Sequence, residues 1–197
     1  TLWVAIADVA HYIEPETLLD DEARARATSV YLPHAVLPML PSRLSDNLCS
    51  LRAKVPRLAM TVSMEIENDW TIGKVTAFES IIEVQENLSY EDALDNPKFQ
   101  NMMDLAKELR RNEIRLNLNS AELRPRVFED EISVNVKWPN KATEMIETFM
   151  VATNNSIGIL LGEKNAPLPW RSHAPPDAPE VEELNAKFKN MGINIEL

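Results

Sequence analysis

The chain has 197 residues, with 31 Asp and Glu against 20 Lys and Arg and a formal net charge of −11. At 45% hydrophobic residues it can bury a sizeable core, which excludes a disordered polyanion. No stretch reaches the roughly 18 consecutive apolar residues of a membrane-spanning helix, no signal-peptide pattern opens the chain, and one cysteine, Cys49, excludes a disulfide scaffold. A lone cysteine suits a reducing, cytoplasmic setting. The acidic balance argues against a broad basic surface, though not against a narrow, locally basic groove. With only 4 glycines, no spacing fits a phosphate loop or a dinucleotide fingerprint.

Leu2-Trp3-Val4-Ala5-Ile6-Ala7 is short and continuously apolar, which predicts a strand buried on both faces. Thr1 leads straight into it, so the sequence is expected to begin inside a domain. Asp8 to Pro15 reads as a loop. A short helix through about Thr28 follows, with Asp20 as its expected cap and Asp21 and Glu22 at its positive end. Pro33, Pro38 and Pro41 then impose an extended segment that cannot enter a central ladder.

Residues 56–67 alternate, with Leu58, Met60, Val62, Met64 and Ile66 on one side. Asn68-Asp69 turns them into a second strand, from about Trp70 to Val84, as a hairpin. Ser89 and Asp92 predict a capped helical turn. Asn96-Pro97 starts a longer helix with the stripe Phe99, Met102, Met103, Ala106 and Leu109. A second hairpin runs from Arg126 to Phe128, through an acidic turn, into Ile132, Val134, Val136 and Trp138. The longest helix is expected over 142–161, with Ile146, Phe149, Met150, Thr153, Ile157 and Leu160 facing inward. Residues 167–179 are proline-rich and extended. The last helix, about 180–191, carries Val181, Leu184, Phe188 and Met191 on one face and stops at Gly192. Ile193 to Leu197 read as the start of a further apolar element. Together these predict an α+β fold, a mixed and mostly antiparallel sheet with packed helices.

Read without a family, the chemistry is sparse. Asp8 with His11 is either a weak metal motif or a loop-fixing carboxylate beside a surface histidine. Asp20-Asp21-Glu22 is better explained as a helix start, because adjacent carboxylates there point in different directions. Ser172-His173 has no acid at triad spacing, and Cys49 lacks a local base. Tyr31 and Tyr90 stand on irregular segments. Tyrosines so placed either stack on nucleic-acid bases or are ordinary half-buried residues with a wet hydroxyl.

Longer motifs resolve more. Val4-Ala5-Ile6-Ala7-Asp8-Val9-Ala10-His11-Tyr12 resembles the catalytic (RNB) domain of the ribonuclease II / ribonuclease R family. Arg26-Ala27-Thr28-Ser29-Val30-Tyr31-Leu32-Pro33, Pro38-Met39-Leu40-Pro41, Leu44-Ser45 and Leu48-Cys49-Ser50-Leu51 continue the likeness. So do Leu88-Ser89-Tyr90, Met145-Ile146-Glu147, Phe149-Met150-Val151-Ala152-Thr153-Asn154 and Arg171-Ser172-His173-Ala174-Pro175-Pro176. The motifs fall in the family's order across residues 1–197.

The resemblance implies a processive, magnesium-dependent 3′-to-5′ exoribonuclease that releases nucleoside 5′-monophosphates from single-stranded RNA. It implies that Tyr31 stacks near the 3′-terminal nucleotide, that Tyr90 packs against the RNA end, and that Glu147 contacts the terminal nucleotide. Glu147 is expected among apolar neighbours, where an unpaired carboxylate is costly. The family's metal-binding aspartates precede the first strand and its arginine motif lies beyond Leu197, so an inactive partial domain with no metal ligands or catalytic residues of its own is expected. Flanking oligonucleotide-binding domains are implied for the whole protein. The family also carries an aromatic near Ala121 to Arg124, where this chain reads Ser120-Ala121-Glu122-Leu123-Arg124-Pro125. Stacking on one face of the terminal base is therefore weaker or supplied elsewhere. Two other readings compete: a degenerate RNB-like protein that binds RNA or a protein without cleaving, and an unrelated metal hydrolase built on Asp8 and His11.

Overall fold

The computed structural model describes residues 1–111, 120–128, 131–172 and 174–193. The acidic turn at Glu129-Asp130, His173 and the last four residues of the chain lie outside them. The described residues fall into two compact units, 1–160 and 161–197.

The first unit is organised by a three-stranded antiparallel sheet in the order β1-β4-β5, with β1 Leu2–Ala7, β4 Pro56–Ile66 and β5 Ile72–Glu83. Its register pairs Leu2 with Met64, Val4 with Val62 and Ile6 with Met60. Because side chains alternate along a strand, that register puts Leu2, Val62 and Met64 on one face, where they join Met103, Ala106, Leu109, Ala142, Met145 and Phe149 in the core. The last six come from α3 Gln100–Arg111 and α4 Lys141–Glu163. Full burial of each Leu, Val, Met or Phe side chain among them contributes about 1.5–3 kcal/mol.

The opposite face is polar and aromatic. Thr61 and Ser80 share a 2.6 Å hydroxyl contact, as do Ser63 and Thr76. Trp3 and Phe78 meet edge to face at 6.1 Å. The expectation of a strand buried on both faces is therefore corrected: Trp3 on this face is 61% exposed and Ile6 on the other is 51% exposed, because the core covers only the Leu2 end of the strand.

The first helix, α1 Leu18–Arg26, is capped by Thr17 rather than Asp20. The Thr17 hydroxyl accepts the Asp20 N–H, and Asp20, one turn in, accepts the Glu16 N–H and pairs with Arg24. The proline-rich stretch stays out of the main ladder as expected. It forms a small hairpin of its own, β2 Val30–Tyr31 with β3 Val36–Leu37. A π-helical segment, Arg43–Leu48, follows.

Ser89 and Asp92 form the expected capping box on α2 Tyr90–Leu94. Asn96 caps a single 3-10 turn, Pro97–Phe99, that runs into α3. The second hairpin, β6 Glu122–Phe128 with β7 Glu131–Lys137, begins four residues before Arg126. Pro125 fits there because a two-stranded ribbon has a free edge on each strand.

Helix α4 is rotated about its axis relative to the expectation. Ala142, Met145, Thr148, Phe149, Ala152, Thr153 and Ser156 are buried, whereas Ile146 lies outside and Met150 is 58% exposed. Small residues let the helix approach the sheet, close enough for the Ser156 hydroxyl to contact Met64 Sδ at 3.5 Å. The buried threonines are satisfied locally, Thr148 on the Glu144 carbonyl and Thr153 on the Phe149 carbonyl.

Both long C-terminal helices end in the same motif. After α4, Ala166 N–H donates to the Leu161 carbonyl and Asn165 N–H to Gly162, with Asn165 at φ 52. In the second unit α5, Ala178–Asn190, ends with Ile193 N–H on Phe188 and Gly192 N–H on Lys189, with Gly192 at φ 73. A left-handed residue one past the cap is what this termination needs, which explains the stop at Gly192.

Candidate nucleic-acid interface

Tyr31 sits on the β2–β3 hairpin and is 78% exposed. Its support is rigid: Leu32 N–H bonds to the Ala35 carbonyl at 2.8 Å, Met39 N–H to Ser29 Oγ at 2.9 Å, and Arg26 to the Pro38 carbonyl at 3.2 Å. Val30, Leu32, Val36 and Leu37 are exposed beside it. The hairpin thus presents an open aromatic ring on an apolar shelf, held by hydrogen bonds at its base.

Tyr90 opens α2, fixed by the Ser89–Asp92 box. The Lys137 ammonium lies 4.9 Å from its ring centroid, within cation–π range. Lys137 also stands 3.7 Å from Glu91. Opposite it in the hairpin is Glu122, whose carboxyl is held below its usual range first by a hydrogen bond from Arg124, at 2.8 Å. The polar face of the β6–β7 ribbon is turned toward Tyr90. Its other face leaves Leu123, Ile132, Val134 and Val136 exposed.

Glu147 lies midway along α4, and its side chain is 56% exposed. The expected apolar surroundings are thus corrected. The rotation of α4 carries Glu147 to the outer side, and its Oε2 stands 3.8 Å from Arg110 on α3. Among the described residues no hydrogen bond, ion pair or ring contact links Tyr31, Tyr90 and Glu147 to one another. They stand on three separate supports: a hairpin, a first helical turn and the middle of a long helix.

Arg110 and Lys137 were not singled out from the sequence. Their signals were weak but present. Arg110 follows the stripe residue Leu109, and Lys137 ends the polar alternation Ser133, Asn135, Lys137.

The remaining candidates do structural work. The Asp8 carboxylate accepts the His11 N–H at 3.2 Å, and the His11 ring rests edge-on against Tyr12. Burial, and then the nearby Asp8 charge, pushes the Cys49 thiol above its usual range, which disfavours a thiolate. Asp20 and Glu22 are engaged by Arg24 and Arg26. No group of three or more His, Cys, Asp or Glu side chains is placed to hold a metal ion among the described residues. The described residues therefore do not fit a magnesium centre. No helix among them is long and apolar enough to cross a membrane.

The site is thus an antiparallel α+β scaffold that presents exposed tyrosines on fixed supports, and comparison with known proteins gives the family. All 197 residues match the RNB domain model, and the chain belongs to the RNB domain family. Ribonuclease R of Chlamydia pneumoniae is 34% identical over 98% of this chain and 31% of its own length. The structure of Mycoplasma genitalium RNase R in complex with ribose methylated single-stranded RNA superposes with a TM-score of 0.89. It is 27% identical, over 98% of this chain and 33% of that one. Yeast Ssd1, a pseudonuclease, shares the fold at a TM-score of 0.76 and 18% identity. The chain spans about a third of the length of the two ribonuclease R relatives and 26% of the yeast protein.

Proposed function

We propose that this chain is the RNA-end-holding part of a 3′-to-5′ exoribonuclease that degrades single-stranded RNA to nucleoside 5′-monophosphates. The observation that carries this reading is the match of the whole chain to the RNB family, joined to an open Tyr31 ring. Tyr31 stacks on a base near the 3′ end, a contact that tolerates any sequence because every base has a π face. Tyr90 offers one ring face to the strand while Lys137 occupies the other. Glu147 accepts a hydrogen bond from the terminal ribose, steered by Arg110.

Magnesium belongs to this reading for the whole protein, with its ligands and the cleaving arginine supplied by sequence beyond these residues. Flanking oligonucleotide-binding domains and a cytoplasmic setting belong to it as well. As a partial RNB domain, the 197-residue chain binds RNA without cutting it.

The test is a binding and hydrolysis assay on a single-stranded RNA oligonucleotide with and without magnesium. Binding without cleavage by the chain, and magnesium-dependent shortening from the 3′ end by the whole protein, are the expected results. Robust degradation by the 197 residues alone overturns the division of labour. Binding without cleavage by the whole protein points instead to a degenerate RNB-like protein, a fold that includes a pseudonuclease.

A further inference from the structure

Charge is distributed unevenly along this acidic chain. Residues 23–64 carry Arg24, Arg26, Arg43, Arg52, Lys54 and Arg57 against a single carboxylate, Asp46, although the whole chain has a net charge of −11. The six cations fall into two groups. Arg24 and Arg26 are neutralised on α1 by Asp20 at 3.0 Å and Glu22 at 2.7 Å. The other four gather in segment 43–57, and among the described residues none of them forms an ion pair.

The acceptors that hold these cations are neutral. Arg52 donates to the Asp46 backbone carbonyl at 2.6 Å. Arg57 donates to the carbonyls of Ser50 at 3.1 Å and Pro56 at 3.3 Å, and to the Asn47 amide oxygen at 3.2 Å. Two guanidinium groups are thereby fixed against one short turn with their charge intact. The Asp46 carboxylate accepts from the Ser45 hydroxyl at 3.1 Å instead of turning to an arginine. Other carboxylates border the segment: Asp8, whose charge is felt at Cys49, Glu83, paired in register with Pro56, and Glu86, which is engaged by Lys98. Arg43, at the start of the turn, and Lys54, just past Arg52, are exposed and have no hydrogen bond to their side-chain nitrogens among the described residues.

The backbone here is unusual too. Cys49 N–H closes on the Leu44 carbonyl, five residues back, at 2.8 Å. Such π-helical turns are rare and concentrate at functional sites. The turn also lies close to the Tyr31 hairpin along the chain. Ser29 and Met39 are bonded to each other at its base, and Arg43 follows Met39 by a span of at most about 14 Å.

Resting on the RNA reading above, we propose that segment 43–57 grips the phosphate backbone of the strand whose terminal base stacks at Tyr31. Arg43 and Lys54 meet the phosphates as free cations, and Arg52 and Arg57 supply a fixed positive field behind them. An acidic protein can hold RNA in this way because its positive charge is concentrated in one segment that follows the stacking hairpin in the chain.

The experiment is a salt titration of the chain's affinity for a fluorescein-labelled oligouridylate. Each phosphate contact on a single strand contributes about 0.7 to the slope of log K against log salt. The Arg43→Gln/Lys54→Gln double variant should bind more weakly, with a slope smaller by about 1.4. Lys74→Gln/Lys107→Gln, which makes the same change in net charge on β5 and α3, should leave the slope unchanged. Thermal melting of both variants checks that the fold persists. If the wild-type chain binds and Tyr31→Ala weakens it while the Arg43/Lys54 slope stays at the wild-type value, this inference is wrong and the RNA reading stands. An equal loss of slope in the Lys74/Lys107 control also overturns it, since total charge would then suffice. If the wild-type chain binds no oligouridylate even at the lowest salt, both fall together.

Discussion

Arg110 and Glu147 meet across the α3–α4 interface, Nη1 to Oε2 at 3.8 Å, with Arg110 only 16% exposed and Glu147 mostly open. A half-buried cation therefore stands against a solvent-facing carboxylate. This asymmetry separates a role in folding from a role in binding. Partly exposed ion pairs contribute between about 0.2 and 1 kcal/mol. Glu147→Gln should thus lower the stability of the chain by less than about 1 kcal/mol in urea unfolding. If Glu147 accepts a hydrogen bond from the RNA end, the same substitution should weaken binding of a 3′-hydroxyl oligonucleotide by about three- to tenfold. A stability loss with unchanged affinity would reduce Glu147 to a partner of Arg110.

Tyr31 gives the opposite balance. Its ring is open and its backbone is fixed by the hairpin, so Tyr31→Ala should leave the urea midpoint almost unchanged. Loss of one stacked base should cost about 1–3 kcal/mol of single-strand affinity. Tyr31→Phe keeps the π face and should bind nearly as well as wild type. If affinity followed the hydroxyl instead, falling in Tyr31→Phe as far as in Tyr31→Ala, stacking would not be the contact.

Much of the scaffold was legible in the sequence, and the reasons are local. The Asn68-Asp69 turn, the alternation through Val62 and Met64, the Ser89–Asp92 box and the stop at Gly192 each act within a few residues. Helix α4 was legible as a helix but not in its orientation. Size alone suggested that Ile146 and Met150 face inward, whereas tertiary packing chose the flank with Ala142, Ala152 and Ser156, where the sheet can come close. The same rotation put Glu147 on the outside. Of the site, Tyr31, Tyr90 and Glu147 came from motif order, and no spacing rule could supply Lys137 or Arg110. Those partners depend on which elements pack together, as does the basic turn, although its local excess of cations stood in the sequence throughout.

The orientation of α4 can be checked by two adjacent truncations. Phe149 is buried in the core cluster, and Phe149→Ala should cost about 3–5 kcal/mol. Met150→Ala, on the exposed side, should change stability by no more than about 0.5 kcal/mol. Urea midpoints measured on the two variants decide it. The reverse order would restore the inward-facing Met150 that hydrophobic size suggests.

Asp20 provides a prediction in acid. The backbone N–H of Glu16, and then the Arg24 side chain, hold its carboxyl below the usual 3.8. A carboxylate with a depressed folded-state pKa stabilises the fold above its unfolded value, and that contribution is lost as pH falls through the folded value. Asp20 should therefore support α1 fully at neutral pH and stop doing so only below about pH 3.8. The side chain is half-buried at the surface of the helix, so the effect is small and is best read site by site. In an NMR titration, the Asp20 carboxyl carbon should titrate below the usual 3.8 of an aspartate. Asp20→Asn should make the α1 amide shifts less sensitive to pH in that window while leaving them native at pH 7. An Asp20 midpoint at or above the usual value would mean that Glu16 and Arg24 do not hold it in solution, and that Thr17 alone secures the start of the helix.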